Sequence, residues 1–429
     1  MFFVRVAVAS PRSASLTAAM SLTPSLLALT GGTVIDGSGS PARSATVVID
    51  GDRIRAVGGA APSGATVIDV RGRTILPGLI DGHVHLCSYA GDQKRTDRLW
   101  GVTTFEEEQV LHGAANAQKA LRAGFTTVRD MAGGRAEVAI KHAMDEFVLD
   151  GARVVSAGFV GMTGGHGDLF TPPAVERRPS VIADGVDACR TAVRRHARDG
   201  ADLIKICTSG GVLSMGDKSE WRNYTDEETR AIVDEAHALA MRVSAHAHTR
   251  AGIAQALDAG VDSIEHGSQL DEALAERMAK SGTRLCATLA IHEQIRLHGK
   301  ERGVTPESLV KAEALHESRL RAARLAKAAG VRIFCGTDSS SVLPFGMHAW
   351  ELELLCRDAG FTPLEAIAAA TRDAAEAVGL ADRTGTLEPG KWADLIVVDG
   401  DPLKDITVLR DASRIRMVFR EGRRLVDRA

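Results

Sequence analysis

Two segments of the chain carry histidines that are spaced two residues apart. TILPGLIDGHVHL contains His83 and His85 near its end, and RVSAHAH ends with His246 and His248. In a β-strand such residues point to the same face, so each pair can direct two imidazoles toward one point. Neutral imidazole suits a borderline divalent metal such as zinc. The spacing therefore makes metal binding the first hypothesis, which the neighbouring strands must support.

A lysine lies in the middle of another apolar run. In ADLIKICTSGG, Lys205 stands between isoleucines in what we predict to be a fully buried strand. An ammonium there is very costly unless something neutralises it. The lysine could form a buried salt bridge, form a Schiff base, or be carboxylated by carbon dioxide to give an anionic oxygen donor that bridges two metals. The histidines on other strands favour the third interpretation.

Two further predicted strands end in metal-binding residue types. VDSIEHG carries His266, and VRIFCGTDSS carries Asp338 after an apolar run, where a carboxylate is expected only if it is paired or bound to metal. Core packing alone does not explain why candidate ligands lie at five strand ends. The candidates are His83, His85, Lys205, His246, His266 and Asp338.

Three other residues are candidates for substrate contact. His166 lies in MTGGHGD, a loop whose glycines let the backbone approach a ligand. His292, just past the seventh predicted strand, is a further candidate. Arg129 in TTVRDM could pair with a substrate carboxylate through two hydrogen bonds, or form an internal ion pair with Asp130.

The middle of the chain alternates brief apolar runs with helical stretches, which is typical of repeated βα units and a parallel sheet. Eight units predict an α/β fold with a (β/α)8 TIM barrel, and an open doubly wound sheet is the alternative. Helix starts are indicated by the capping-box pairs Thr225/Glu228 and Thr362/Glu365, and by Pro306 and Pro363. The predicted strands end near His85, Asp130, Gly158, Gly210, His248, Gly267, Leu289 and Asp338.

Both ends of the chain are rich in Val, Ile and Thr, with Gly-Ser and Asp-Gly turns, which predicts short strands. We therefore expect a small β-sandwich domain built from residues 29–76 and 385–429, which flank a barrel over residues 77–384. Residues 1–28 are predicted to be a disordered leader, because Arg5 and Pro11 interrupt the apolar runs that a secretory signal needs.

The bulk composition argues against several classes of function. The chain has 52 basic and 55 acidic residues, mixed along its length, for a formal net charge of −3. Neither a nucleic acid nor a membrane is therefore an expected partner. We expect a small-molecule substrate and a homo-oligomer. The six cysteines are far apart, so a reduced, cytoplasmic compartment is expected, with a secreted or periplasmic location left open.

The motifs in this order resemble the amidohydrolase superfamily. The resemblance covers nearly the whole chain after Leu29 and rests on DGHVHL, AGFTTVRDM, TGGHGD, ADLIKICTSGGV, VSAHAHT, SIEHG, GTDSS and TGTLEPGKWADLIVVDGDP. Within the superfamily, the chain is similar to the branch of imidazolonepropionase-related Xaa-Pro dipeptidases and carboxypeptidases. That branch also includes ochratoxin-hydrolysing amidohydrolases.

This resemblance implies two divalent metal ions, which we expect to be zinc. The implied ligands are His83, His85 and Asp338 for the first ion, His246 and His266 for the second, and a carboxylated Lys205 bridging both. His166 matches a histidine of the branch that approaches the scissile group. His248 falls where the branch commonly has a tyrosine that contacts substrate, which argues against strict proline specificity.

The activity implied by the resemblance is hydrolysis of the amide bond in an N-acyl amino acid or dipeptide with a free carboxylate. Aromatic amides such as ochratoxin A belong to the same class. A hydroxide held between the metals would attack the carbonyl, His166 would stabilise the oxyanion, and Asp338 would carry a proton to the leaving nitrogen. Three alternatives stay open: hydrolysis of a cyclic amide, a Schiff-base aldolase that uses Lys205, and a barrel scaffold without activity.

Overall fold

The structure is a computed structural model that describes residues 26–91, 100–175 and 181–428 of the 429-residue chain. The predicted leader, residues 1–28, lies outside the described residues except for its last three. Two of those three, Leu27 and Ala28, already belong to the first strand and pair with Ile49 and Val48 of a neighbouring strand. Regular structure therefore begins before the predicted boundary, because these backbone groups complete a sheet.

The N-terminal part of the chain forms short strands with turns between them. They are β1 (Leu27–Thr30), β2 (Thr33–Val34), β3 (Arg43–Ser44), β4 (Val47–Asp50), β5 (Arg53–Val57), β6 (Thr66–Asp69) and β7 (Thr74–Pro77). Four of them form one sheet in the order β5-β4-β1-β6. The rest join strands from the other end of the chain.

The middle of the chain forms a parallel sheet in the order β8-β9-β10-β12-β13-β14-β15, with β11 paired to β10. These strands are buried along almost their whole length, as expected when helices cover a parallel sheet. Their bounds are β8 (Leu79–Val84), β9 (Phe125–Asp130), β10 (Arg153–Gly161), β11 (Val181–Ile182), β12 (Leu203–Cys207), β13 (Arg242–Ala247), β14 (Ser263–His266) and β15 (Arg284–Cys286).

An eighth, irregular segment closes this sheet into a barrel. Parallel bridges join Ile333 to Leu285 of β15 and Ser339 to Val84 of β8. The Asp338 N–H also donates to the carbonyl of His83, at 2.7 Å. The predicted (β/α)8 barrel is therefore confirmed, and the open sheet is excluded. The seventh strand ends at Cys286 rather than near Leu289, where a helix already begins.

Helices follow the strands and cover the barrel. They are α1 (Trp100–Thr103), α2 (Glu106–Arg122), α3 (Arg135–Asp145), α4 (Val186–Asp199), α5 (Asp226–Ala238), α6 (Arg250–Ala259), α7 (Glu272–Ser281), α8 (Leu289–His298), α9 (Pro306–Ala314), α10 (His316–Ala328), α11 (Trp350–Ala359), α12 (Pro363–Ala369) and α13 (Arg372–Ala377). Short 3₁₀ turns lie at Asp168–Phe170, Ile406–Arg410 and Ala412–Arg414. Both predicted capping boxes are confirmed, at the starts of α5 and α12.

The two ends of the chain meet in a second sheet. Its C-terminal strands are β16 (Leu395–Val398), β17 (Ile415–Arg420) and β18 (Arg423–Asp427), and the order is β18-β17-β16-β7-β2-β3. In this sheet Val397 of β16 pairs with Ile75 of β7. A separate apolar cluster, including Leu29, Val47 and Phe419, fills the space between the two terminal sheets. The small β-sandwich built from both termini is thus confirmed as part of the fold.

A buried ion pair joins this sandwich to the barrel. Arg153 of β10 donates to Asp394 at 2.7 Å and to Glu421 at 2.7 Å, and its guanidinium lies over the Trp392 ring at 4.1 Å. Arg153 and Asp394 are both almost fully buried. Each charge therefore depends on the other for its compensation.

We expect Arg153→Met to lower the free energy of unfolding by about 3–5 kcal/mol, because it leaves the Asp394 carboxylate buried without its cation. Urea denaturation measures this loss. Arg135→Met is the matched control, since Arg135 forms an exposed pair with Asp199 and its removal should cost at most about 1 kcal/mol. Equal stabilities of the two variants would contradict the coupling between barrel and sandwich.

Candidate active site

A cavity of about 360 Å³ opens at the carboxyl ends of the barrel strands. This is the face at which barrel enzymes place their reacting groups. The cavity lining includes all six predicted metal ligands and the three histidines predicted to contact substrate: His83, His85, Lys205, His246, His266, Asp338, His166, His248 and His292. The strands thus bring together residues that lie up to 255 positions apart in the sequence.

Two groups of donor atoms are close enough to share a metal ion. Donor atoms of His83, His266 and Asp338 all lie within 4.8 Å of one another, and so do those of His246, His248 and His266. His85 adjoins the first group, because its Nε2 is 2.9 Å from an Asp338 oxygen. His248, which we expected to contact substrate, therefore lies among the donors of the second group.

The second nitrogen of several rings is held by a hydrogen bond. His83 Nδ1 is 2.7 Å from Glu265, His248 Nδ1 is 2.8 Å from Ser268, and His266 Nδ1 is 2.7 Å from Thr288. Such contacts set the tautomer and ring orientation of metal-ligating histidines. In each of these three rings, Nε2 is the nitrogen that remains to bind a metal ion.

Burial keeps these imidazoles in the form that binds metals. It lowers the pKa of His83 and holds those of His246 and His266 well below the usual value, and neighbouring positive charges act in the same direction. Burial alone would raise the pKa of Asp338, but the electrostatic interaction with His83, the hydrogen bond with His85 and the charge of Lys205 lower it. Neutral imidazoles beside an ionised carboxylate are a donor set that fits divalent cations.

The backbone at two of the strand ends is in an unusual conformation. His266 has φ 72° and Asp338 has φ 60°, in the left-handed region that non-glycine residues rarely adopt. Each such residue costs about 1–3 kcal/mol and persists only where the surrounding structure holds it. Both residues line the cavity. The sequence pattern does not reveal this left-handed backbone conformation.

Lys205 is the most unusual group in the cavity. The residue is 3% exposed, and in the register of β12 it lies opposite Phe159 of β10 and Ser244 of β13. Its amine forms no hydrogen bond or ion pair with any residue in the described ranges. A buried salt bridge, the first of the three interpretations, is therefore not formed with the described residues.

Arg129 lies beneath the cavity rather than in its wall. It is 1% exposed, and its guanidinium donates to Glu265 at 2.8 Å and to the Gly82 carbonyl at 2.6 Å. The predicted contact with a substrate carboxylate is corrected accordingly, because the side chain has no access to the cavity. Its ion-pair partner is Glu265 and not Asp130, since β9 and β14 both send these side chains into the barrel interior.

His166 is held by residues that sequence reasoning missed. Its Nδ1 is 2.8 Å from Ser214 Oγ, which donates to Asp217 at 2.7 Å, and its ring stacks on His246 at 4.3 Å. Burial lowers the pKa of His166 to about 4. Gly211 permits this packing, because a Cβ there would lie 2.0 Å from the ring. The string TSGGVLSMGD after β12 contains Gly211, Ser214 and Asp217, but no spacing rule connects these residues to His166.

His292 and His348 have opposite environments. His292, on α8, is 3% exposed, and neither ring nitrogen has a hydrogen-bond partner among the described residues. It lines the cavity, and both of its ring nitrogens are buried. His348, which showed no sequence signal, instead pairs with the buried Asp81 at 2.7 Å. That pair holds β8 beside the closing segment of the barrel.

The barrel and its donor-lined cavity define an enzyme fold with a candidate metal centre. The model of the Amidohydrolase family matches residues 74–425, and the chain belongs to that family. It is a hydrolase that acts on amide bonds.

Two curated relatives illustrate the range of the family. Ochratoxinase of Aspergillus niger is 37% identical over 416 residues, covering 91% of this chain and 85% of its own. Imidazolonepropionase of Streptomyces griseus is 28% identical over 427 residues, covering 91% of this chain and 95% of its own.

Solved structures of related enzymes have the same fold. The crystal structure of A. niger ochratoxinase has a TM-score of 0.84 at 34% identity and covers 94% of this chain and 96% of its own. A prolidase complexed with N-methylphosphonate-L-proline has a TM-score of 0.87 at 33% identity and covers 94% of this chain and 100% of its own.

We expect Glu265→Gln to weaken metal affinity by about 10- to 100-fold, because it removes the anion that orients His83 and compensates Arg129. Competition with a chelator measures the affinity. Glu293→Gln is the matched control, since Glu293 also pairs with arginines but does not line the cavity. Wild-type affinity in Glu265→Gln would show that this hydrogen bond does not support the metal site.

Proposed function

We propose that the protein hydrolyses the amide bond of an N-acyl amino acid or dipeptide with the help of two divalent metal ions, which we expect to be zinc. The observation that carries this proposal is the buried Lys205 amine, which forms no ion pair with any described residue and lines the same cavity as five candidate ligands. A metal analysis of the purified protein, followed by a screen of N-acyl amino acids and dipeptides, tests it.

The charge of Lys205 can be removed by carboxylation. Its neutral amine adds to carbon dioxide, and loss of a proton leaves a carbamate anion with two oxygen donors. Carbamate oxygens would complete the donor set of His83, His85 and Asp338 on one side and of His246 and His266 on the other. Divalent cations bound there would supply Lewis acidity and lower the pKa of a bound water.

Asp338 is the proposed proton carrier. Its carboxylate is half-buried, and its Oδ1 lies 2.9 Å from His85 Nε2 and 3.8 Å from His83 Nε2. Because its pKa is lowered, the group is ionised at neutral pH and can accept a proton from the attacking water. It then passes that proton to the leaving nitrogen of the amide.

His166 is proposed to stabilise the oxyanion. Its Nδ1 faces Ser214, so Nε2 is the nitrogen that remains for the substrate. For this role the Ser214 hydroxyl must turn its proton from Asp217 to His166 Nδ1, which leaves the proton of the neutral ring on Nε2. From Nε2 it can be donated to the carbonyl oxygen as negative charge develops. The contact between Ser214 and Asp217 holds the ring in place before substrate arrives.

The wall of the cavity suits an apolar acyl or amine group. Its apolar side chains come from several loops, the 3₁₀ turn at Asp168–Phe170, strand β10, and helices α1 and α8: Tyr89, Trp100, Met131, Phe159, Phe170, Val212, Leu213, Ile291, Ile295, Val304 and Val342. Such a wall favours aromatic substrates, of which N-acyl phenylalanine and ochratoxin A are examples. The similarity to ochratoxinase supports this choice.

Hydrolysis of a cyclic amide is the alternative within the same reaction type. It is favoured by the similarity to imidazolonepropionase over 91% of this chain. A panel that sets N-acyl amino acids against lactams separates the two, since only the preferred class should give saturable turnover.

We expect Lys205→Ala to lose metal and activity together, because the bridging anion is removed. Short carboxylates such as acetate should restore part of both. Lys327→Ala is the control, since Lys327 pairs with Glu365 and does not line the cavity. A Lys205→Ala protein with full metal content would exclude the bridging role.

Asp338→Asn should slow hydrolysis of N-acetyl-L-phenylalanine by about 10²–10⁴-fold, because the amide cannot accept the proton. The rate is compared with wild type at equal metal occupancy, since the residue is also a candidate ligand. Near-normal turnover at full occupancy would contradict the proton transfer.

A further inference from the structure

We infer that Arg302 binds the free carboxylate of the substrate's amino acid portion, an inference that rests on the proposed function. Arg302 lies in residues 299–305, between α8 and α9, and lines the same cavity as the candidate metal ligands. Its planar guanidinium matches a carboxylate through two parallel hydrogen bonds. The sequence predicted this role for Arg129, whose guanidinium is used inside the barrel instead.

The guanidinium of Arg302 is available for a ligand. The residue is half-buried, yet its side chain forms no hydrogen bond or ion pair within the part of the chain that the structure describes. Arg296, one turn and a half earlier, is by contrast paired with Glu293 at 3.0 Å. An arginine in a cavity wall without an acidic partner is poised to receive one from solution.

The charges of the cavity point to the same residue. Among the described residues that line the cavity, Lys205 is the lysine, Arg302 is the arginine and Asp338 is the acidic residue. Lys205 and Asp338 are both assigned to the metal centre. A carboxylate entering an otherwise apolar wall would be costly without a partner. Arg302 is therefore the cation that remains to compensate it.

The segment that carries Arg302 is held in place. The Arg302 N–H donates to the His298 carbonyl at 3.0 Å, and the Val304 N–H donates to the Gly299 carbonyl at 2.9 Å. Val304 is 7% exposed and anchors the segment from inside, beside Ile295 in the cavity wall. A side chain on such a fixed turn loses less entropy when it binds a ligand. The apolar surroundings also strengthen the ion pair.

Calorimetry tests the inference, by measuring how tightly the metal-loaded full-length protein binds L-phenylalanine and L-phenylalaninamide. The two probes share the amine and the ring and differ in the carboxylate charge. We expect the wild type to prefer the acid, and Arg302→Gln to bind the acid about 10- to 100-fold more weakly while its affinity for the amide is unchanged. Arg302→Lys should keep part of the preference, because the charge remains.

Lys300→Gln is the matched control, since it removes an exposed charge two positions away that does not line the cavity. It should behave as wild type. In turnover of N-acetyl-L-phenylalanine, Arg302→Gln should raise KM more than it lowers kcat. A preference for the acid that survives in Arg302→Gln, or an equal affinity of the wild type for both probes, would overturn the inference. If binding of the acid depends on Arg302 but the protein hydrolyses no N-acyl amino acid, the proposed function is rejected and the carboxylate site at Arg302 is retained.

Discussion

Burial of the Lys205 amine among imidazoles is the interaction on which the rest of the site depends. Lys205 lies on β12, a fully buried strand of the barrel, and is itself 3% exposed. A cation cannot stay there uncompensated, because its desolvation costs more than packing returns. The proposed carboxylation would turn the lysine into an anion, and neutral imidazoles from three other strands could then bind the same cations. One covalent change would thus explain why so many donors face a single cavity.

Beneath the cavity, a layer of paired charges holds the donors in position. Glu265 accepts hydrogen bonds from His83 and Arg129, and it also accepts one from Ser244. Asp81 has a similar role where β8 meets the closing segment of the barrel. It accepts a hydrogen bond from Thr337, and it also pairs with His348. Each buried charge in this layer has partners on a different strand. The pairs therefore connect strands on different sides of the barrel at the level just below the site.

Part of the cavity wall comes from segments of the chain that lie outside the barrel strands. The segment before α9 contributes Arg302, the loop after β10 contributes His166, and α8 contributes His292. Specificity in barrel enzymes resides in such loops, while the strands carry the reaction. The division fits the proposed chemistry, since the candidate metal donors lie on the barrel strands or directly after them and the proposed carboxylate contact is on a connecting turn.

The sequence by itself determined the repeated βα units, the β-rich ends and the residue types that end each strand. Period-2 spacing, as in His83 and His85, and an unexpected lysine in an apolar run are local signals that need no partner to be recognised. Helix starts at Thr225 and Thr362 were predictable for the same reason, because a capping box lies within four residues. Local chemistry was therefore sufficient for the barrel and for six of the candidate donors, whereas the place of His248 among the donors emerged only from the structure.

Only the tertiary structure decided which partners these residues have. The pairing of Arg129 with Glu265, 136 residues apart, depends on which side chains two strands send into the barrel interior. The left-handed turn at Asp338 and the support of His166 by Ser214 likewise depend on the packing of distant segments. The same holds for Arg302, whose place in the cavity wall follows from how α8 and α9 lie over the strand ends. Such contacts between remote segments leave no periodic mark in the sequence, because they are selected by shape and charge once the barrel has closed.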